Sequence, residues 1–261
     1  MARLSIVQLL RKGVVAKRCQ ALSPGIEACS SQLQNAERRR WTRMPEAFLF
    51  DLDGVLLDTE PLHAIAWRQA ASHFGTDLSD SQLGQLQGKR RQENARQVCS
   101  WIRQPISPEQ LLAVRQPIAS ELMASAPAMP GAESLVRYIH SLNLPMALVT
   151  SSERASMLLK ISRHSWVNLM RLQVCGDDNA LKAGKPAPDP YQLGALKLRV
   201  KPEDCWAIED SDAGCQSAAT AGCVVWRLVQ PGPISTNCDL EGVVSIQTLS
   251  EAESHLRQLS Q

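Results

Sequence analysis

The chain has 261 residues, of which 44% are hydrophobic, enough for one large hydrophobic core or two smaller ones. Its formal net charge is +2, but residues 1–43 hold nine of the 28 Lys and Arg residues and only two acids, Glu27 and Glu37. The rest therefore has 19 basic and 24 acidic residues, a net charge of −5. This excess of acidic residues after residue 43 argues against nucleic acid as a partner. No apolar run approaches the roughly 18 residues of a membrane span, so we expect no membrane association either.

Residues 1–43 form a basic leader that ends shortly after Arg38-Arg39-Arg40 and just before Met44. A leader rich in Arg and poor in acids is typical of an organellar transit peptide. A disordered tail, or a start codon placed too early with Met44 as the true first residue, explains the same composition. We therefore expect a cytoplasmic protein, or an organellar one if the leader is a transit peptide.

The eight cysteines show no CxxC pair and no grouping with histidine at zinc spacing. Several of them lie in apolar, strand-like runs. We expect small buried residues in a reducing compartment, and neither disulfides nor a metal site.

From Ala47 onward, short apolar runs alternate with helical patterns. Between the runs, apolar residues recur at helical spacing, as at Leu135, Ile139 and Leu142. Strands that alternate with helices predict an α/β fold with a doubly wound, Rossmann-like parallel sheet. The predicted strands are Phe48–Phe50, Met146–Val149, Cys205–Ile208 and Cys223–Trp226.

Residues 60–126 interrupt this alternation, because their apolar residues follow a helical period and no segment has the pattern of a strand. The interruption predicts an α-helical cap domain inserted into the sheet domain. We place the cap at residues 59–126 and the core domain at residues 44–58 and 127–261.

Polar residues follow three of the predicted strands at their carboxyl ends, where the ligand sites of parallel sheets lie. One acidic strand end means little, whereas three that converge predict a site. These residues are Asp51 and Asp53, Thr150 and Ser151, and Glu209 and Asp210.

The segment Asp51-Leu52-Asp53-Gly54 on its own has a common explanation, a turn with a helix cap. A calcium-binding loop is excluded, because the third ligand position is Val55 and the twelfth is Leu62. Four motifs in one order are more specific. They are Asp51-Leu-Asp53-Gly-Val-Leu-Leu-Asp58-Thr59-Glu60, Leu-Val-Thr150, Gly184-Lys185-Pro186 and Ile-Glu209-Asp210-Ser211-Asp-Ala-Gly214.

Together these motifs resemble the haloacid dehalogenase-like hydrolases, in particular the branch of sugar phosphatases and β-phosphoglucomutases, over residues 46 to about 230. The resemblance implies that Asp51 is a nucleophile that forms an aspartyl-phosphate and that Asp53 is its acid/base partner. It also implies Mg²⁺ as cofactor, held by Asp51, the backbone carbonyl of Asp53 and Asp210, with Glu209 bound directly or through water.

The same resemblance assigns Thr150 and Ser151 to the phosphoryl oxygens, and Lys185 to the charge on the transferring group and on Asp51. Helix capping by Thr150 and a solvated loop lysine are the alternatives. In the cap, Lys89, Arg90 and Arg91 are candidates for substrate binding, with an exposed basic turn as the alternative. His63 is a candidate supporting residue behind the first loop, or simply a packed helix residue.

These residues predict a phosphatase that hydrolyses a small phosphorylated metabolite, such as a sugar phosphate or a sugar bisphosphate, and that acts as a monomer. A phosphomutase is the alternative, since both reactions need Asp51 and Asp53. The Lys89-Arg90-Arg91 cluster differs from the Val-Ser-Arg sequence typical of β-phosphoglucomutases, which favours the phosphatase. A binding protein without catalytic activity on the same fold is a more remote alternative.

Overall fold

The strands form a single parallel sheet in a computed structural model that describes residues 41–86, 91–229 and 242–261. Their order in the sheet is β3-β2-β1-β4-β5-β6, and every neighbouring pair is parallel. The doubly wound α/β fold predicted from the sequence is confirmed. The strands are β1 (Ala47–Phe50), β2 (Met146–Val149), β3 (Leu172–Val174), β4 (Cys205–Glu209), β5 (Val224–Leu228) and β6 (Val243–Ile246).

Among the described residues, five helices lie between β1 and β2, and the others connect or follow the remaining strands. Local signals mark several starts: α4 begins at a capping box formed by Ser107 and Gln110, and α9 at one formed by Thr248 and Glu251. The helices are α1 (Glu60–His73), α2 (Asp80–Gly84), α3 (Arg91–Trp101), α4 (Pro108–Met123), α5 (Ala132–Ser141), α6 (Arg154–Ile161), α7 (Asp189–Leu198), α8 (Asp212–Ala221) and α9 (Leu249–Leu259). Short 3₁₀ turns cover Ser165–Leu169 and Pro202–Asp204.

Both faces of the sheet are buried. Alternate residues of each strand point to opposite faces, so the strands contribute side chains to two apolar clusters. On one face, Phe48 and Phe50 of β1 belong to an apolar cluster that includes residues of α5 and α9. On the other face, Leu49 belongs to a cluster with Tyr191 of α7 and Cys215 of α8. Helices thus cover both sides of a continuous apolar sheet.

The cap helices α1 to α4 have an apolar cluster of their own, which includes Trp67, Val98 and Leu111. The two chain segments that connect cap and core run side by side: Asp58 N donates to Pro127 O at 2.9 Å. The inserted helical cap is therefore confirmed as part of the fold. Its limits at 59 and 126 remain predictions.

Trp41 packs into the core, although it lies within the predicted leader. Its side chain is 5% exposed, and its ring meets that of Trp226 edge-on with centroids 5.0 Å apart. Its carbonyl oxygen lies 2.8 Å from His255 Nε2. Residues 1–43 were predicted to be a leader outside the core domain, but Trp41 packs with the core domain. Residues 1–40 lie outside the described part.

Two strands, β3 and β6, have no counterpart in the sequence prediction, and they occupy the two edges of the sheet. Four cysteines are buried, as predicted for small core residues: Cys175, Cys205, Cys215 and Cys223. Cys99 is free and half-buried, and the other three lie outside the described residues. Among the helices of the described residues, none has both the length and the apolar character needed to cross a membrane.

Candidate active site

The carboxyl ends of the three central strands bring the predicted site residues together. Asp51 follows β1, Thr150 follows β2, and Glu209 is the last residue of β4. Ladder-like bonds continue past the strand ends, from Asp51 N to Ile208 O at 3.0 Å and from Thr150 N to Val174 O at 2.9 Å. These backbone hydrogen bonds fix the positions of Asp51 and Thr150 at the ends of their strands. The register of the parallel strands therefore brings the polar side chains together.

Lys185 is the cation at the centre of this edge. Its ammonium donates to Asp51 Oδ1 and to Glu209 Oε1, both at 2.5 Å, and to Val149 O at 3.0 Å. Burial alone would lower the pKa of Lys185, but the two carboxylates outweigh burial and raise it. Lys185 is therefore a permanent positive charge beside Asp51.

Three carboxylates face this one lysine. Asp51, Glu209 and Asp210 each offer an oxygen, and these oxygens all lie within 4.8 Å of one another. Burial, with the charges of Glu209 and Asp53, raises the pKa of Asp51 to about 7 against the opposing effect of Lys185. Burial and the charges of Glu209 and Asp51 raise the pKa of Asp210 well above its usual range. An oxygen-only donor set with excess negative charge fits Mg²⁺.

Glu209 differs from the other two acids because protein donors already occupy both of its oxygens. Oε1 accepts from Lys185 and from the Tyr191 hydroxyl at 2.6 Å, and Oε2 accepts from the Ser211 hydroxyl at 3.2 Å. A Cβ at Gly214 would overlap this carboxylate, so only glycine fits there. Sequence analysis missed Tyr191 as a site residue, although it lies in the run that follows Lys185.

Asp53 points away from the acidic cluster and toward α6. Lys160 Nζ lies 2.7 Å from each of its carboxylate oxygens, and the Ser152 hydroxyl donates to Oδ2 at 3.0 Å. Lys160 also donates to Ser152 Oγ at 2.9 Å, which closes a three-residue network. Burial would raise the pKa of Asp53, but the charge and hydrogen bonds of Lys160 outweigh it, and the pKa is lowered.

Sequence analysis missed Lys160 and Ser152. The only signal for Lys160 is a single lysine inside the apolar run Met157–Ile161, where its side chain is 5% exposed in the folded protein. Such a lysine is expected to have a buried partner. Which partner it has is a matter of tertiary structure.

Thr150 is buried, and its Oγ1 accepts a hydrogen bond from Ser152 N at 3.0 Å. A hydroxyl that accepts this bond still has its own proton to donate. This hydrogen bond within the turn is therefore compatible with the phosphate-binding role predicted for Thr150, whereas the N-cap of α6 is Glu153. Ser151 is exposed and lines the cavity next to the site.

A cavity of about 710 Å³ lies between the cap and the strand ends. The core contributes Asp53, Asp210 and residues of α6, and the cap contributes residues of α1, α3 and α4. On the cap side, Arg115 Nη2 lies 3.1 Å from His63 Nδ1. Burial and the charge of Arg115 lower the pKa of His63 to about 4, so the imidazole is neutral.

Of the predicted cap residues, only Arg91 lies within the described part; Lys89 and Arg90 lie outside it. Arg91 begins α3, is exposed, lines the cavity and donates to Gln116 Oε1 at 3.4 Å. Sequence analysis missed Arg115, which sits among apolar residues of α4.

Known proteins are similar to this chain in sequence and in structure. A family model described as haloacid dehalogenase-like hydrolase matches residues 45–222. The probable pseudouridine-5'-phosphatase of Drosophila melanogaster is 34% identical over 187 residues, covering 70% of this chain and 81% of that protein. Hexitol phosphatase A of Escherichia coli is 32% identical over 186 residues, covering 71% and 84%. A candidate β-phosphoglucomutase from Thermotoga maritima has a similar structure, with a TM-score of 0.71, 27% identity and coverage of 82% and 98%.

Proposed function

This chain belongs to the haloacid dehalogenase-like hydrolases and is a phosphoric monoester hydrolase, and from that premise we propose that it is a Mg²⁺-dependent phosphatase with an aspartyl-phosphate intermediate. One observation carries the proposal. The Asp51 carboxylate, held by Lys185 at 2.5 Å, lies beside two further carboxylates, and one of these, Asp210, lines a cavity of substrate size.

In the proposed first step, a carboxylate oxygen of Asp51 attacks phosphorus, and the bond from phosphorus to the ester oxygen breaks. Lys185 offsets the negative charge that gathers on Asp51 and the transferring group, and the Thr150 hydroxyl donates to a phosphoryl oxygen. Mg²⁺, when bound by Asp51, Asp210 and the Asp53 carbonyl, supplies further positive charge. Because both oxygens of Glu209 already accept hydrogen bonds from protein donors, we propose that Glu209 would bind Mg²⁺ only through a water molecule.

Asp53 carries the proton in both steps of the proposed mechanism. It gives a proton to the departing ester oxygen, and then accepts one from the water that attacks phosphorus and releases Asp51 and inorganic phosphate. The network with Lys160 and Ser152 sets the orientation of the Asp53 carboxylate. We therefore assign Lys160 as a positioning residue for Asp53.

We propose a sugar phosphate or sugar bisphosphate as substrate. Two relatives are named for phosphate esters of polyhydroxylated molecules, pseudouridine 5'-phosphate and hexitol phosphate. A cavity of about 710 Å³ is in the range that holds ligands of this size. The test is a panel of phosphate esters assayed for phosphate release with Mg²⁺ and with excess chelator. Activity that chelation leaves unchanged would contradict the metal requirement.

A phosphomutase is the second candidate, because the similar structure from Thermotoga maritima is described as a candidate β-phosphoglucomutase. The two reactions differ in whether water or a second sugar hydroxyl accepts the phosphoryl group. The enzyme is incubated with β-glucose 1-phosphate and a trace of glucose 1,6-bisphosphate, and glucose 6-phosphate is measured against free phosphate. We expect phosphate release to dominate. Isomerisation that is much faster than phosphate release would identify a mutase.

We propose further that the protein is a cytoplasmic monomer, or an organellar one if residues 1–43 act as a transit peptide. Light scattering after size exclusion measures the oligomeric state. A fusion of residues 1–43 to a fluorescent protein, imaged in cells, tests the targeting role. Diffuse fluorescence would support a cytoplasmic location, and fluorescence confined to an organelle would support a transit peptide.

A further inference from the structure

Arg115, on the cap side of the cavity, is a buried cation that has no acidic partner among the described residues. The residue is 4% exposed, and no carboxylate of the described part lies within ion-pair distance of its guanidinium. The undescribed segment 87–90 that precedes α3 contains no acid. Arg115 instead stacks over the Trp67 ring at 4.1 Å and contacts neutral His63.

A buried charge without a partner destabilises a folded protein, so an uncompensated arginine calls for a function. The acids that border the cavity do not meet this need. Asp53 is already matched by Lys160, and Asp210 belongs to the cluster around Lys185. Glu60 and Glu153 also line the cavity, but neither forms an ion pair with Arg115. Burial and the charge of Arg91, which also lines the cavity, lower the pKa of Arg115 to about 10. Two cations therefore line the cap side of the cavity.

On cap helices α3 and α4, two buried polar atoms of cavity-lining side chains have no partner among the described residues: Arg115 Nε and Asn94 Oδ1. Both side chains line the cavity, and Asn94 is 5% exposed. Asn94 Nδ2 donates to Leu86 O at 2.8 Å, which fixes the amide with its oxygen unpaired. The site thus combines an unused guanidinium donor with an unused acceptor, which suits an anionic group next to a hydroxyl.

We propose that Arg115 anchors a second anion-binding subsite, and that the preferred substrate is a hydroxylated phosphate monoester with a further acidic group at its far end. This inference rests on the proposed function, since it places the scissile phosphate at Asp51. The second group is a carboxylate or a second phosphate, both of which pair with the planar guanidinium. Asn94 accepts a hydrogen bond from a hydroxyl beside that group. His63 accepts from Arg115 and holds the guanidinium in the cavity.

The test compares ligands that differ only in the far group: glucose 6-phosphate with 6-phosphogluconate, glycerol 3-phosphate with 3-phosphoglycerate, and fructose 6-phosphate with fructose 1,6-bisphosphate. We measure kcat/KM for phosphate release by the full-length enzyme and Kd by calorimetry with the Asp51→Asn variant. We expect the acidic member of at least one pair to be preferred by at least about tenfold. The first two pairs test a carboxylate, and the third tests a second phosphate.

Arg115→Met should abolish this preference by lowering kcat/KM for the acidic members, and Arg115→Lys should retain part of it. Arg103→Met, at an exposed cap arginine, is the matched control and should keep the full preference. Because Arg115→Met removes an unpaired buried charge, its melting temperature should not fall. A lower melting temperature would instead indicate a structural arginine and count against the subsite.

The outcomes separate the two proposals. Hydrolysis of neutral and acidic members at equal rates, unchanged by Arg115→Met, overturns the subsite and leaves the phosphatase proposal standing. No hydrolysis of any phosphate ester overturns the phosphatase proposal itself. If the acidic members still bind more tightly to the Asp51→Asn variant in that case, the subsite stands as a binding site.

Discussion

Lys160 holds Asp53 from the opposite side to Asp51, with 2.7 Å between its ammonium and each carboxylate oxygen. The two lysines of the site therefore have separate carboxylates: Lys185 binds Asp51, and Lys160 binds Asp53. The acid/base group of the proposed mechanism is thus attached to α6, a helix of the core domain. Ser152, the second donor to Asp53, also lies in the core domain.

If Lys160 acts through Asp53, their effects on kcat are not additive. Asp53→Asn should lower kcat for an alkyl phosphate by about 10²- to 10⁴-fold, and Lys160→Met by a smaller factor. The double variant should be no slower than Asp53→Asn alone. Both losses should shrink with p-nitrophenyl phosphate, whose leaving group needs no proton.

Lys160→Arg should restore part of the activity of Lys160→Met, since it keeps a charged donor. Lys197→Met is the matched control, because Lys197 also pairs with an acid, Asp178 at 2.6 Å, but outside the site. It should leave kcat unchanged. Losses that multiply in the double variant would show that Lys160 acts independently of Asp53.

Asp51→Asn should remove turnover of every substrate and leave the fold intact, because it deletes both the nucleophile and a metal ligand. Circular dichroism and phosphate release measure the two properties. Lys185 loses one of its two carboxylate partners in this variant, but Glu209 remains. Substantial phosphatase activity in Asp51→Asn would disprove the assigned nucleophile.

Gly54→Ala should cost both stability and activity. Gly54 has φ of 81°, and an added Cβ would overlap the carboxylate of Asp210. Gly75 has φ of 72° with open space around it, so Gly75→Ala measures backbone strain alone, about 1–2 kcal/mol. We expect Gly54→Ala to unfold at lower denaturant concentration than Gly75→Ala and to lose most activity. Equal stability with full activity would refute this account of the turn.

Removal of Trp41 should destabilise the protein, although it lies before the predicted start of the core domain. A buried tryptophan contributes about 3–5 kcal/mol, which corresponds to at least about 5 °C in the melting temperature of a protein of this size. We expect that loss in a protein that begins at Met44 and in Trp41→Ala. A protein that begins at residue 40 keeps Trp41 and is the matched control for the truncation at Met44. Equal melting temperatures for all of them would show that Trp41 adds no stability.

His63 should remain neutral at physiological pH, because burial and Arg115 lower its pKa to about 4. Arginine can only donate, so Nδ1 accepts and the proton is on Nε2. Nitrogen NMR of the imidazole reports both properties. In Arg115→Met the pKa should rise but stay below 6.5, since burial persists. A titration near pH 6.5 in the unaltered protein would contradict the buried pair.

The sequence by itself determined the central strands and the chemistry at their ends. β1, β2, β4 and β5 are apolar runs buried on both faces, so their composition alone identifies them. Asp51, Asp53 and Lys185 were predicted from short motifs whose residue types suit phosphoryl transfer. The edge strands β3 and β6 were not predicted, because they are only partly buried and their runs are short or mixed with polar residues.

Only the tertiary structure decided which side chains meet. Lys160 is 107 residues from Asp53, and Arg115 is 52 residues from His63, so no local pattern links either pair. A lysine or arginine inside an apolar helical run indicates that a buried cation exists, but not where it points. Its partner depends on how α6 packs against the strand ends and how α4 packs against α1. Those packing angles are set by contacts among many residues, and the short motifs do not contain them.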